Sequence, residues 1–216
     1  MGKVKVASFC VSMDGYGAAL DQSQSNPFGV GGMVLPAWVM PTRVFQTTVL
    51  GRDSGTTGID NAFMERGTVN IGATIMGRNM FSPLRGPWKD DSWKGWWGPN
   101  PPFHCDVFVL THHPRPILEM EGGNRFIFVT DGIESAMKQA KAAAGAKDIR
   151  IGGGVATVRA YLQAGLVDEL HLAFAPLFLG HGENLLQGLD LPKLGFEVAE
   201  RVQGEGALHV VLRKKG

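Results

Sequence analysis

The sequence IGGGVATVRAYL (151–162) joins an apolar strand, three glycines and a helical pattern with no intervening loop. Glycines at a strand end let a ligand approach the backbone, and the N-terminus of the next helix offers free N–H groups to an anion such as phosphate. The same pattern is also typical of close strand–helix packing. It is neither the GxGxxG of a Rossmann site nor the GK[ST] of a Walker A loop. The junction therefore predicts an α/β layer and leaves phosphate binding open.

Apolar runs of strand length recur on both sides of this junction, and most are continuous rather than alternating. Continuous β-branched and aromatic runs suit strands that are buried on both faces. Two C-terminal runs enclose the turn QGEG (203–206), which predicts an antiparallel hairpin. The eight predicted strands lie at 3–11, 74–76, 106–110, 126–129, 149–151, 170–175, 196–202 and 207–213.

Helical patterns fall between these strands, at 59–66, 133–144 and 155–164, with a short fourth helix after Arg78. Each of the first three is followed directly by a glycine, the usual helix stop. Strands that alternate with helices predict an α/β fold with a largely parallel sheet. We expect a single domain over 1–216, with a mostly parallel, eight-stranded mixed sheet, about four flanking helices and a C-terminal antiparallel hairpin.

The composition excludes several classes of protein. The 216 residues carry a net charge of +1, which gives no electrostatic field to gather nucleic acid or an acidic membrane. No apolar stretch reaches the roughly 18 residues of a membrane span. Cys10 and Cys105 are far apart and form no CxxC motif, so a reducing, cytoplasmic location is expected.

Two further strand ends carry polar groups. In ATIMGRNMF (73–81) a buried strand runs into Gly77 and Arg78, and in VFVLTHH (107–113) another ends in Thr-His-His. Ligands of open α/β sheets gather outside the carboxyl ends of the strands. Together with the triple glycine, these ends predict a site for a multiply phosphorylated ligand. The alternatives are a surface salt bridge for Arg78 and a solvated turn for the histidines.

Two long segments, 15–58 and 83–102, fit no strand or helix of the predicted sheet. The second contains four tryptophans, whose apolar surface needs burial. Loops of this length are usually functional lids or disordered. The tryptophan segment is therefore either an ordered cover over a pocket or subunit contact, or a surface loop folded on its own aromatics.

Four motifs in order, SMDGYGA (12–18), ATIMGRNMF (73–81), VFVLTHHPRP (107–116) and the segment 151–182, resemble the dihydrofolate reductase-like superfamily. The closer resemblance is to the branch with the C-terminal reductase domain of the riboflavin-pathway deaminase-reductase. It implies an NADPH-dependent reductase that transfers a hydride to a pteridine, pyrimidine or related small heterocycle. It also implies a homodimer.

The same resemblance assigns residues to NADPH. Arg78 would meet the adenosine 2′-phosphate and carry most of the preference for NADPH over NADH. Cys10 and the backbone of Ala18 would line the nicotinamide. The full set of cofactor residues is Cys10, Ala18, Gly77, Arg78, Asn79, Thr111, His112, Gly152, Gly153, Gly154, Val155, Ala156 and Thr157.

The expected proton donor is Asp60, which precedes Gly77 by a spacing close to that of the family's acidic residue. Thr57 and Asp60 also have the spacing of an N-terminal capping pair, which would give Asp60 a structural role instead. Glu65 on the same helix is the second candidate. Because the Pro-Trp at Pro87 follows the Gly-Arg motif rather than preceding the acidic helix, folate is not implied as the substrate.

Two other functions remain as alternatives. One is a catalytically silent NADPH-binding protein with a sensor or regulatory role. The other is a metal-dependent hydrolase, which would need His104, Cys105, His112 and His113 to converge. Their spacing matches no common zinc pattern, so no metal is predicted.

Overall fold

The computed structural model describes residues 2–215, which contain eleven strands, five α-helices and two short 3-10 helices. The strands are β1 (Val4–Ser12), β2 (Tyr16–Ala18), β3 (Ile71–Gly77), β4 (Asp106–Leu110), β5 (Leu118–Met120), β6 (Asn124–Val129), β7 (Asp148–Gly153), β8 (Glu169–Ala175), β9 (Glu183–Asn184), β10 (Phe196–Gln203) and β11 (Leu208–Lys214). The α-helices are α1 (Arg43–Thr48), α2 (Ile59–Thr68), α3 (Arg78–Phe81), α4 (Ile133–Ala144) and α5 (Val155–Gln163), and the 3-10 helices are Gly32–Trp38 and Glu121–Gly123.

Nine strands form one sheet in the order β10-β11-β8-β1-β7-β3-β4-β6-β5, and β2 pairs with β9 in a separate ribbon. The six strands from β8 to β6 run parallel, while β5, β10 and β11 are antiparallel to their neighbours. The mostly parallel mixed sheet and the C-terminal hairpin are confirmed. All eight predicted strands are present, but the predicted number of strands was wrong, because the structure has eleven. The three additional strands, β2, β5 and β9, span only two or three residues, which is too short to show a periodicity in the sequence.

The main core lies between the sheet and helices α4 and α5. On β7, Ile149 and Ile151 are buried, and on α5 the side chains of Val158 and Leu162 are completely buried. Tyr161 is also completely buried, and its hydroxyl donates to Ile133 O at 2.9 Å, which ties α5 to the start of α4. This packing holds the first turn of α5 directly beyond the end of β7.

The carboxyl ends of β7, β3 and β4 are adjacent at one edge of the sheet. The register pairs Met76 with Gly153 and Gly77 with Leu110, so the three strands end at nearly the same level. The residues that follow these strands therefore face a common space, as the sequence predicted for the triple glycine, the Gly-Arg and the Thr-His-His motifs.

The two long segments are ordered and lie against the sheet. In the first, Leu35 and Trp38 of the 3-10 helix are buried. In the second, Trp88, Trp93 and Trp97 pack on a cluster of buried residues. That cluster consists of Met76, Phe81, Val107, Val109 and Phe126. The tryptophan segment is thus a cover over the sheet and not a loop folded only on itself.

Within residues 2–215, none of the helices combines the length and the apolar character needed to cross a bilayer.

Candidate active site

A cavity of about 430 Å³ lies where the three strand ends meet. Gly77 and Arg78 line it from the end of β3, Thr111 and His112 from the end of β4, and the first turn of α5 from the end of β7. We call it the first cavity. His112 is exposed, whereas Thr111 is buried and its hydroxyl accepts a hydrogen bond from His113 N at 3.2 Å. The Thr-His-His turn is therefore an ordered wall of the cavity.

The N-terminus of α5 is open toward this cavity. Its N-cap residue is Gly154, which offers no side-chain cap, and the first turn contains no acidic residue. A Cβ placed on Gly154 would meet nothing within 4 Å, so the space in front of the helix is free. A Cβ on Gly77, by contrast, would overlap Oγ1 of Thr157, so that glycine lets β3 approach α5. The unsatisfied amides and the helix dipole make this helix end chemically suited to an anion.

Arg78 supplies positive charge to the same cavity. Its guanidinium lies over Trp88, with Cζ 3.6 Å from the ring centroid, and Nη1 donates to Gly86 O at 2.6 Å. Nε and Nη2 are buried and have no partner among residues 2–215. Desolvation lowers the pKa of Arg78, and repulsion from Arg85 and Arg115 lowers it further. Arg78 therefore does not form the surface salt bridge considered as its alternative, and its free donors suit an incoming anion.

A second cavity of about 350 Å³ adjoins the first, and the two share Asn79, Gly154, Val155 and Glu183. Aromatic side chains from β1, the 15–58 segment and the tryptophan segment form much of its wall, namely Phe9, Phe28, Phe45, Trp96 and Trp97. The remaining cofactor residues expected from the sequence line this second cavity, namely Cys10, Ala18, Gly152 and Gly153. All thirteen of those residues thus lie along one continuous groove.

Cys10 is a neutral thiol in this groove. Burial raises its pKa to about 12, which outweighs the opposing effects of the nearby Trp38 indole and of the charge of Arg150. The thiolate is the nucleophilic form of cysteine, so Cys10 lines the groove but does not act as a nucleophile.

Asp60 is not part of either cavity. It is 4% exposed, and its carboxylate accepts hydrogen bonds from Gly206 N at 2.7 Å and from His209 Nε2 at 2.8 Å. It does not cap α2 either: the N-cap is Gly58, and Glu205 accepts from the N–H groups of residues 59 and 60, each at 3.0 Å. The expected Thr57–Asp60 capping pair was wrong, because the turn of the C-terminal hairpin supplies the cap from a distant part of the chain.

The buried chain continues from Asp60 through two histidines to β1. His209 Nδ1 and His171 Nε2 are 3.0 Å apart, and Ser8 N donates to His171 Nδ1 at 3.0 Å. A backbone N–H can only donate a hydrogen bond, so Nδ1 of His171 is the acceptor and the ring proton of His171 is on Nε2. The Nε2–H of His171 therefore donates a hydrogen bond to Nδ1 of His209, and the Nε2–H of His209 donates to Asp60. Burial lowers the pKa of His171 to about 3. Both acceptor oxygens of Asp60 are thus engaged in a chain that joins α2, β8 and β11 to β1.

The other acidic candidates lie in different places. Glu65 is exposed, accepts a hydrogen bond from Asn61 at 2.9 Å and lines neither cavity. Glu183 is the only carboxylate among the described residues that line the two cavities, and it lies at their junction. Sequence reasoning missed Glu183 because it reaches the site through the pairing of β9 with β2, opposite Ala18.

The residues of the metal-site alternative do not converge. His104 and Cys105 precede β4, whereas His112 and His113 follow it, and a strand of five residues separates them by roughly 17 Å. Among residues 2–215, no group of three or more His, Cys, Asp or Glu side chains is placed to hold a metal ion.

The family model described as the RibD C-terminal domain matches residues 4–208. The chain belongs to the RibD C-terminal domain family. This confirms the resemblance seen in the four sequence motifs. The RibD-type chain is 37% identical over 90 residues to YyaP of Bacillus subtilis (strain 168), and that match covers 40% of this chain and about half, 47%, of YyaP.

Two solved structures share the RibD-type fold. A putative riboflavin biosynthesis protein from Shewanella sp. PV-4 superposes with a TM-score of 0.57 at 19% identity, over 99% of this chain and 98% of that one. RibD of Acinetobacter baumannii gives a TM-score of 0.56 at 17% identity, over all of this chain and 59% of that one. At these identities the likeness concerns the fold alone, a mostly parallel mixed sheet flanked by helices.

Proposed function

We propose that this chain is an NADPH-dependent reductase whose substrate is a pteridine, a pyrimidine or a related small heterocycle. The observation that supports this most is the continuous groove, which joins an anion site on three strand ends to an aromatic cavity. The free donors of Arg78 and the open end of α5 fit a ligand with two separate phosphate groups. NADPH has such a pair, and when bound it would supply the hydride.

The residues of the first cavity would bind and orient the cofactor. The N–H groups in the first turn of α5 would donate to the pyrophosphate, while Arg78 and Thr111 would hold the adenosine 2′-phosphate. Cys10 and Ala18 would then line the nicotinamide in the second cavity, beside the aromatic walls. Those walls exclude water from the reacting face and are suited to stack on a flat heterocycle.

Glu183 is the carboxylate best placed to act in proton transfer or to accept N–H groups of the substrate, because it lies where the cavities join. Asp60 would have a structural role instead, since its carboxylate oxygens accept hydrogen bonds from the hairpin turn and from His209. In this proposal Asp60 positions Ser8 and β1 at the second cavity through the histidine chain.

The test is NADPH oxidation, followed by absorbance, with a panel of pteridines, pyrimidines, quinones and folates. We expect turnover with at least one pteridine or pyrimidine. Glu183→Gln should lower kcat with little change in Tm, whereas Asp60→Asn should lower Tm. Failure of the chain to bind NADPH would overturn the proposal.

A catalytically silent NADPH-binding protein of the same fold is the second candidate. The position of Asp60 outside both cavities favours it, because the expected proton donor does not reach the groove. Tight NADPH binding without oxidation by any compound of the panel would support this alternative over the reductase.

We further propose that residues 1–216 form one domain and that the protein is a cytoplasmic homodimer. Both cysteines are free thiols, which suits a reducing compartment. Phe178 is 78% exposed and Leu20 is 52% exposed, as expected for apolar groups at a subunit contact. Light scattering should give twice the monomer mass of 23.2 kDa, and a monomer would contradict the dimer.

A further inference from the structure

The second cavity contains an arginine that the assignment of cofactor residues leaves unused. Arg150 lies on β7 between Ile149 and Ile151, both of which point into the main core. Side chains alternate along a strand, so Arg150 faces the opposite side, as does Gly152. Arg150 and Gly152 both line the second cavity.

The guanidinium of Arg150 has no counter-charge among the residues that the structure describes. Its Nε is buried without a hydrogen-bond partner, and Arg150 forms no ion pair among residues 2–215. Burial lowers the pKa of Arg150, and only the thiols of Cys105 and Cys10 act in the opposite direction. Arginine nevertheless stays charged in proteins, so this is a desolvated and uncompensated cation.

An isolated buried charge is strongly unfavourable unless something pairs with it. Glu183, the carboxylate on the wall of the same cavity, forms no ion pair with Arg150. Arg150 is only partly buried as a residue, and it lines the cavity. The missing partner is therefore a ligand that enters this cavity.

Two other residues of the cavity wall have a buried polar atom without a partner, namely Ser8 at Oγ and Gln22 at Oε1. Ser8 is held in place because its N–H is bound to His171, which leaves the hydroxyl free to donate. The second cavity thus combines a guanidinium, a hydroxyl and an amide oxygen with aromatic side chains. These groups are suited to bind a flat ring that carries polar substituents.

The position of Arg150 also orients that ring. Arg150 precedes the strand end at Gly153 by three residues, which corresponds to about 10 Å along β7. The wall shared with the first cavity lies beyond that end, at Gly154 and Val155. The charged edge of the ligand thus points away from the first cavity, and the opposite edge points toward it.

We propose that the second cavity binds a planar heterocycle that carries an oxyanion directly on its ring system, with the oxyanion on Arg150. The ring edge remote from the oxyanion then faces the junction of the two cavities. Calling this ligand the substrate rests on the proposed reductase function, whereas the anion site itself rests on Arg150 and the cavity.

Calorimetric titration without NADPH tests the proposal with two matched pairs of probes, pterin-6-carboxylate against pterin and orotate against uracil. We expect at least one carboxylate to bind the wild type roughly 10- to 150-fold more tightly than its neutral partner. Arg150→Gln should abolish this preference, and Arg150→Lys should retain part of it. Arg52→Gln, which removes the same charge from an exposed position, should change nothing.

Tm provides the second readout. Because the guanidinium is unpaired and desolvated, Arg150→Gln should keep or raise Tm, and NADPH affinity should stay within threefold of the wild type. Equal binding of charged and neutral probes by the wild type, including no binding by any of them, would overturn the proposal. So would an anion preference that survives in Arg150→Gln, or a large fall in Tm. If the wild type does not bind NADPH but still prefers the charged probes, only the proposed reductase function is overturned.

Discussion

Ala156→Glu separates ligand binding from folding at the open end of α5. Ala156 is exposed, lies in the first turn of the helix and lines the first cavity. That turn contains no acidic residue, so a glutamate there would complement the helix dipole by about 0.3–1 kcal/mol. For a domain of this size the gain corresponds to a rise in Tm of roughly 1–4 °C.

The same carboxylate would oppose the pyrophosphate of NADPH. Two unit charges separated by roughly 4–8 Å repel by about 2–4 kcal/mol at an effective dielectric constant near 20. The expected loss of NADPH affinity is therefore roughly 30- to 1000-fold.

Ala156→Gln is the matched control, because it has the same length without the charge. We expect Ala156→Glu to bind NADPH far more weakly than Ala156→Gln by calorimetry, and the difference should shrink at high salt. Similar affinities for the two variants, together with a normal Tm for both, would refute the assignment of the pyrophosphate to this helix end.

Three further predictions concern the groove and the buried chain. Arg78→Gln should weaken NADPH roughly 10- to 150-fold and NADH less than threefold, because in the proposed binding mode the unpaired Nε and Nη2 would contact the 2′-phosphate, which NADH lacks; equal losses in calorimetry would contradict this. Asp60→Asn should lower Tm by roughly 2–12 °C, because its amide would leave the N–H of Gly206 or of His209 unpaired; an unchanged Tm would contradict the structural role. The free energy of unfolding should fall below about pH 6.5, where the unfolded state gains a proton that His171, with a folded pKa of about 3, does not. Urea titrations should show a slope of up to roughly 1.4 kcal/mol per pH unit, and a flat profile from pH 7 to 5 would contradict it.

Local patterns in the sequence predict most of the fold. The eight long strands, the hairpin and helices α2, α4 and α5 each have enough residues to show a periodicity or a glycine stop. The three strand-end motifs meet because parallel neighbours end at one edge of the sheet, a rule that needs no side-chain detail.

Contacts between distant segments were not predictable in the same way. Asp60 and His209 are separated by 149 positions, and Glu205 caps α2 across a similar distance. Glu183 enters the groove through a ribbon whose second strand has two residues. Arg150 had a local signal, a charge inside the apolar run IRI (149–151), but only the structure shows that its Nε is buried without a partner among residues 2–215.

The most direct test of the central claim is a crystal structure of the protein grown with NADP⁺. We expect one NADP⁺ per chain, with the pyrophosphate within hydrogen-bond distance of the N–H groups of Val155 and Ala156. The 2′-phosphate should lie on Nε and Nη2 of Arg78, and the nicotinamide beside Cys10. A cofactor bound outside the groove, or in the reverse orientation with its adenine beside Cys10, would contradict it.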